Sequence, residues 1–378
     1  MGLENRLMVM YGILCEQAPE ESRVALTPDV ASRLKRLNVS CCIESGAGLA
    51  AGFSDDDYRQ ANVDVQDRAF VMSRADAIGF VGRPEGDVIS GLAPGTWILG
   101  MLSSFTDEQY LQKLQSAGLV SVALERLPRQ LSSAQSMDEM TSQNSVMGYK
   151  AALVAANAYG SFLPMMTTAA GTIRPAKVLV LGAGIAGLQA IGTAKRLGAV
   201  VAAYDVRPAA REEIESLGAK FLDLGIDLSS GQGEGGYARQ LTDKEQAEQQ
   251  RAVDESAAQF DIVITTAKVP GRKPPVLLTS NGVNGLHRGA VIVDCAASGL
   301  GGNVEGSVPG TTLTEGGVTI LGCPNLASEV ASTASKLLSR NLADTLAHFL
   351  GENGGLHMDM SRELDRALIV AGQAEEDK

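Results

Sequence analysis

Basic residues are in deficit in this chain: 32 Lys and Arg face 44 Asp and Glu, a formal net charge of −12. A nucleic-acid binder that relies on phosphate neutralisation is therefore not expected. The acidic surplus reads as a solubility feature. Cysteine is scarce and odd in number, with Cys15, Cys41, Cys42, Cys295 and Cys323 showing neither a CxxC pair nor a Cys/His cluster. Neither a disulfide framework nor a metal site is indicated. No apolar run approaches the roughly 18 residues of a membrane helix, and the nearest stretch, Val146 to Ala170, is interrupted by Lys150, Asn157 and Pro164. The apolar Leu7 to Leu14 reads as a first strand rather than a signal core. Glu4 offsets Arg6, and no small-residue cleavage site precedes the acidic Glu16 to Glu21 segment.

What the chain has is length, apolar residues and glycine. A chain of 378 residues suits two domains of about 100 to 200 residues each, and so a cleft between lobes. Hydrophobic residues make up 45% and glycines outnumber prolines 42 to 13, a composition of tight strand-to-helix turns. Short apolar runs at Leu7 to Leu14, Val39 to Ile43, Asp76 to Val81, Trp97 to Met101 and Leu119 to Leu124 alternate with amphipathic stretches such as Pro28 to Leu37 and Asp107 to Leu114. That alternation predicts a doubly wound α/β lobe over 1–137, completed by 327–378. A connecting helix is expected over 138–164. A second α/β lobe is expected over 165–326, with strands at Lys177 to Leu181, Val200 to Tyr204, Lys220 to Leu222, Asp261 to Thr266, Ala290 to Asp294 and Val318 to Leu321. After Ala327 the pattern is helical to Leu350, with no further strand expected, and it should pack back on the first lobe.

One motif carries chemistry. The strand Val178-Leu179-Val180-Leu181 runs into Gly182-Ala183-Gly184-Ile185-Ala186-Gly187, then a helical stretch to Leu197, then a second strand ending at Asp205. These are the parts of a dinucleotide-binding βαβ unit, in order. Gly182 permits the tight turn, Gly184 lets backbone approach a pyrophosphate, and Gly187 lets the helix lie close on the strand. Amide groups at the helix start then face an anion in a favourable dipole field. Asp205 stands where a carboxylate accepts hydrogen bonds from the adenosine ribose. A 2′-phosphate about 4 Å away would meet a few kcal/mol of repulsion at an effective dielectric of about 20, which favours NAD(H) over NADP(H). Arg207 complicates that choice, because an arginine here can accommodate the phosphate.

These residues, with their surroundings, resemble the NAD(H)-binding component of the proton-translocating nicotinamide nucleotide transhydrogenases, whose nearest relatives are the alanine dehydrogenases. Arg23-Val24-Ala25-Leu26-Thr27-Pro28 is similar to the start of the family's first helix, and Ala134-Gln135-Ser136-Met137-Asp138 to its loop over the nucleotide. Pro164-Met165-Met166-Thr167-Thr168-Ala169-Ala170-Gly171-Thr172 leads into the glycine motif as in the family, and Gly235-Gly236-Tyr237-Ala238 resembles the start of its mobile loop. The resemblance implies two Rossmann-like lobes with NAD(H) in the cleft and hydride transfer to NADP(H) held by a separate subunit. It also implies a homodimer, a membrane subunit, an NADP-binding subunit and a cytoplasmic location peripheral to the inner membrane. The nicotinamide-positioning residues it implies are Arg129, Gln135, Asp138 and Thr141, with Arg129 and Asp138 paired. Cofactor contacts would be Gly182, Gly184, Ile185, Ala186, Gly187, Asp205, Val206, Arg207, Gly236, Tyr237, Gln249 and Lys268.

The residues themselves leave two alternatives open. An alanine-dehydrogenase-like oxidoreductase needs an acid/base group near the nicotinamide. The positions that carry Lys and His in those relatives read Ile78-Gly79-Phe80-Val81-Gly82-Arg83 and Leu99-Gly100-Met101-Leu102-Ser103 here, and the three histidines, His287, His348 and His357, fall elsewhere. Exchange between two nicotinamides needs no proton transfer, only two rings held at near-attack distance. The other alternative is a non-catalytic NAD-binding homologue. It is kept open by one extra residue between Arg129 and Gln135, by Ser133 in place of an arginine, and by the loop from Asp294 to Asn303, which is one residue longer than the family's and lacks its glutamate.

Overall fold

The computed structural model describes residues 8–225, 243–268 and 272–372. The chain divides into two compact units, Met1–Gln143 with Ser328–Lys378, and Asn144–Ala327. Each is a doubly wound α/β structure on a mostly parallel seven-stranded sheet.

In the first unit the strands lie in the order Ile369–Ala371, Val120–Ala123, Trp97–Gly100, Ala77–Gly79, Met10–Ile13, Ser40–Glu44 and Asp64–Gln66. Only Ile369–Ala371 runs antiparallel to its neighbour. Ala77–Gly79, Trp97–Gly100 and Val120–Ala123 are buried at every position, as strands covered on both faces must be. Because successive side chains point to opposite faces, Ile98 joins the cluster of Leu14, Ile78 and Leu114 while Leu99 joins that of Ile13, Leu34 and Val122. The Ala331–His348 helix buries Leu338, Leu342 and Leu346, four residues apart, in the second of these clusters. The chain beyond Ala327 thus completes the first unit. It also contributes the strand Ile369–Ala371, contrary to the expectation of none. Asp64–Gln66 was likewise not read from the sequence, being a three-residue edge strand with no buried position.

The second unit orders its strands Lys220–Phe221, Val200–Tyr204, Lys177–Leu181, Ile262–Thr265, Val291–Asp294, Thr319–Gly322 and Gly310–Leu313. The last pair is antiparallel and the rest parallel. The chain order reverses at Lys177–Leu181, so the crevice beside that strand's carboxyl end is where an open α/β sheet binds its ligand. The helix expected over 138–164 is observed as Glu139–Ala158, ending before Gly160. What reads as a small-residue loop after Pro164 is a hairpin of Met166–Thr168 and Gly171–Ile173. Ala151, Ala152 and Ala155 are buried in the second unit's core. Gly148 lies so close to the carbonyl oxygen of Ala186 that a Cβ there would overlap it. Among the described residues no helix is long and apolar enough to cross a membrane.

Candidate functional site

The glycine-rich turn gives each of its glycines a different task. Gly182 follows the buried strand Lys177–Leu181 at φ +92°, the left-handed region that a side chain disfavours, and the Thr266 hydroxyl donates to its carbonyl at 3.0 Å. Gly184 is exposed and precedes the Ile185–Arg196 helix, and a Cβ built on it would meet nothing within 4 Å. Gly187 is buried in the first helical turn, where a Cβ would overlap the Gly182 carbonyl. No side chain caps this helix start. The amides of Ile185 and its neighbours are therefore offered to a ligand at the positive end of the helix dipole. An anion approaching over Gly184 finds open space, which is what a pyrophosphate requires.

Asp205 stands just beyond Val200–Tyr204 and ties that strand end to the turn. Its Oδ2 accepts the Ala183 amide at 2.7 Å, and its Oδ1 accepts the Arg207 amide at 2.8 Å. The Arg207 guanidinium folds back on the same carboxylate, with Nε 3.0 Å from Oδ1 and Nη2 3.3 Å from Oδ2. Nη2 also donates to the Ala183 carbonyl at 3.0 Å. Val206 is half-buried against the core. Gln249 is buried on the Asp243–Ala257 helix, and Lys268 is exposed after the Ile262–Thr265 strand. Gly236 and Tyr237 lie outside the described residues.

The loop from Asp294 to Asn303 is held by its two ends. The buried Asp294 carboxylate accepts from the Thr265 hydroxyl at 3.0 Å, the Ala296 amide at 2.9 Å and the Val304 amide at 3.1 Å. The buried Asn303 side chain accepts the Ala267 amide and donates to the carbonyls of Ala267 and Pro275. Asn303 thereby fixes the segment that precedes Lys268.

In the first unit Arg129, Asp138 and Thr141 form one hydrogen-bonded group. Arg129 Nε lies 2.9 Å from Asp138 Oδ2 and Nη2 lies 2.7 Å from Thr141 Oγ1. Thr141 donates its amide to Asp138 Oδ1 at 2.9 Å and its hydroxyl to Oδ2 at 2.6 Å. Asp138 so acts as the cap of the Glu139–Ala158 helix, accepting from the amide three residues on. Gln135 is exposed on the 3-10 turn Ser132–Met137 and is not in this group.

A second polar group in the first unit escaped the sequence. Glu139 is 2% exposed and its Oε2 has no hydrogen-bond partner. Burial pushes its carboxyl up to about 8, against the pull of Arg23 and with help from Glu125, Glu16 and Glu21. Burial likewise raises Glu16 to about 7 although it accepts the Val81 and Gly82 amides. Arg23 is held by Glu21 and by Gln143 Oε1. The only sequence signal was acidity, which reads as solvated surface in Glu16 to Glu21 and as a helix cap in Asp138-Glu139.

His287 contacts Asp261 at 3.0 Å and His348 contacts Asp365 at 2.6 Å. Among the described residues no group of three or more His, Cys, Asp and Glu is arranged to hold a metal ion.

A family model described as alanine dehydrogenase/PNT, N-terminal domain, matches residues 12–147, and the corresponding C-terminal domain model matches residues 151–375. The chain is 41% identical over 365 residues to an NAD(P) transhydrogenase subunit alpha protein of Rickettsia prowazekii, covering 94% of this chain and 93% of that one. It is 28% identical over 308 residues to an alanine dehydrogenase of Mycolicibacterium smegmatis, covering 80% of this chain and 76% of that one. A solved structure described as a transhydrogenase from Sinorhizobium meliloti is similar at a TM-score of 0.85 and 40% identity, over 96% of this chain and 98% of that one.

Proposed function

This chain belongs to the alanine dehydrogenase/PNT family, and from that premise we propose that it is the NAD(H)-binding subunit of an NAD(P) transhydrogenase. It exchanges hydride with NADP(H) held on a separate subunit, and membrane partners couple the exchange to proton translocation. The observation that carries the cofactor is the turn itself: an exposed Gly184 with open space above it, an uncapped helix start, and a carboxylate at the end of the next strand. These residues fit a dinucleotide. The first-turn amides from Ile185 to Gly187 would hold the pyrophosphate, and Asp205 with Val206 and Arg207 would hold the adenosine end. Gly236, Tyr237, Gln249 and Lys268 complete the proposed contacts. When bound, the dihydronicotinamide supplies the hydride. Arg129, Gln135, Asp138 and Thr141 orient the ring, with Arg129 and Asp138 restrained by their mutual ion pair and Gln135 presenting an exposed amide.

The choice of transhydrogenase over alanine dehydrogenase rests on similarity, 41% identity against 28%, and on chemistry. Oxidative deamination needs an acid/base group beside the ring, whereas hydride exchange between two nicotinamides needs positioning alone. A homodimer is supported by the Met166–Thr168 and Gly171–Ile173 hairpin, around which Phe162, Met165 and Ile173 expose 50%, 66% and 47% of their surface. The location that follows is the cytoplasmic face of the inner membrane, through the partner subunits. Assaying NADH oxidation with pyruvate and ammonium separates the two enzymes. No turnover is expected, and steady turnover would make this chain an amino-acid dehydrogenase.

A further inference from the structure

We infer that Arg207 masks the ribose-reading face of Asp205 and sets how strongly this chain distinguishes NADH from NADPH. The inference rests on the proposed reading that Asp205 receives the adenosine ribose. An ionised carboxylate offers about four acceptor positions on its two oxygens. In Asp205 all four are taken. The amides of Ala183 and Arg207 use one on each oxygen, at 2.7 and 2.8 Å, and Arg207 Nε and Nη2 use the others, at 3.0 and 3.3 Å. The two main-chain donors are fixed by the turn and by the strand end. A ribose hydroxyl therefore gains Asp205 only by displacing the guanidinium.

The guanidinium is well held where it is. Its Nη2 also donates to the Ala183 carbonyl, inside the glycine-rich turn, and the paired side chains expose only 19% and 10% of their surface. A planar fork that reaches a carboxylate and a carbonyl together is a geometry that lysine cannot reproduce. A second resting place lies close by, since Glu213 on the Ala210–Ser216 helix is 3.7 Å from Nη2 and more exposed. Displacement thus exchanges one carboxylate partner for another. NADH must compete with an internal cation for Asp205, which weakens its affinity. The same cation offsets the carboxylate's charge, so that a 2′-phosphate is repelled less than an unpaired aspartate would repel it.

The test titrates NADH and NADPH into the full-length chain and into R207Q, R207K and D205N, with thermal unfolding as the check on folding. R207Q is expected to bind NADH more tightly than the parent and to raise the NADPH-to-NADH ratio of Kd by about tenfold at low salt. R207K, which retains charge without the fork, is expected to fall between them and remains informative if R207Q does not fold. If both variants lose affinity for NADH and NADPH by the same factor, Arg207 is an ordinary contact and the masking role is wrong. D205N separates this from the underlying reading. A parent that does not bind NADH, or a D205N chain that binds it equally well, overturns the assignment of Asp205 to the ribose, and the masking inference with it.

Discussion

Gly187 lies directly against Gly182: a Cβ on the first would overlap the carbonyl oxygen of the second. Gly184, between them in sequence, faces open space and has an ordinary φ of −71°. The two positions are therefore expected to fail differently. Gly187→Ala must push the Ile185–Arg196 helix off its strand, at a cost of about 1–3 kcal/mol. Gly184→Ala should leave stability within about 0.5 kcal/mol, because its methyl meets no protein atom. If pyrophosphate approaches the turn there, that methyl occupies its place, and NADH affinity falls at least about tenfold. Thermal melts with NADH titrations check both, and a Gly184→Ala chain that binds NADH normally would place the pyrophosphate elsewhere.

Gln135 and Asp138 are expected to separate binding from exchange. Gln135 is exposed, so Gln135→Asn should alter stability by less than about 0.5 kcal/mol while slowing hydride exchange more than it weakens NADH binding. Asp138→Ala removes the partner of Arg129 and the cap on Thr141, so it should cost about 1–2 kcal/mol of stability as well as exchange. Equal losses of exchange and binding in Gln135→Asn would contradict ring positioning.

Glu139 makes stability depend on pH in a definite direction. Its carboxyl sits at about 8 in the folded chain against an ordinary 4.5, so between those limits the folded state binds the extra proton. Stability from this group is complete below the ordinary value and is lost as pH rises towards 8, at up to about 1.4 kcal/mol per pH unit. Glu139→Gln keeps the shape without the titration. Urea unfolding should show a flatter decline between about pH 5 and 8, and at about pH 8.5 the variant should be at least as stable as the parent. An unchanged slope would mean that Glu139 is already ionised when folded.

The dinucleotide turn was legible because its chemistry is local: a buried strand, three glycines at fixed spacing and a carboxylate one strand later all fall within Val178 to Asp205. The parallel strands were legible for a similar reason, since burial on both faces leaves continuous runs such as Val178 to Leu181. Edge strands carry no such signature. Asp64–Gln66 has no buried position and Gly310–Leu313 is exposed throughout, so neither shows apolar periodicity. Ile369–Ala371 is apolar but only three residues long. Charge pairing was legible where the family resemblance supplied partners, as for Arg129 and Asp138. It was hidden where burial alone decides the chemistry, as in Glu16 and Glu139, or where a side chain turns back on its own loop, as Arg207 does on Asp205.

Hydride exchange between NADH on this chain and an NADP analogue on another is the activity on which the proposed function stands. It is measured as the spectroscopic rate of analogue reduction by NADH when a purified NADP-binding transhydrogenase subunit is added to this chain. Exchange is expected to require both proteins and to be sharply reduced by Gln135→Asn. Tight NADH binding with no exchange at any subunit ratio would contradict the proposal and leave a nucleotide-binding protein without this activity.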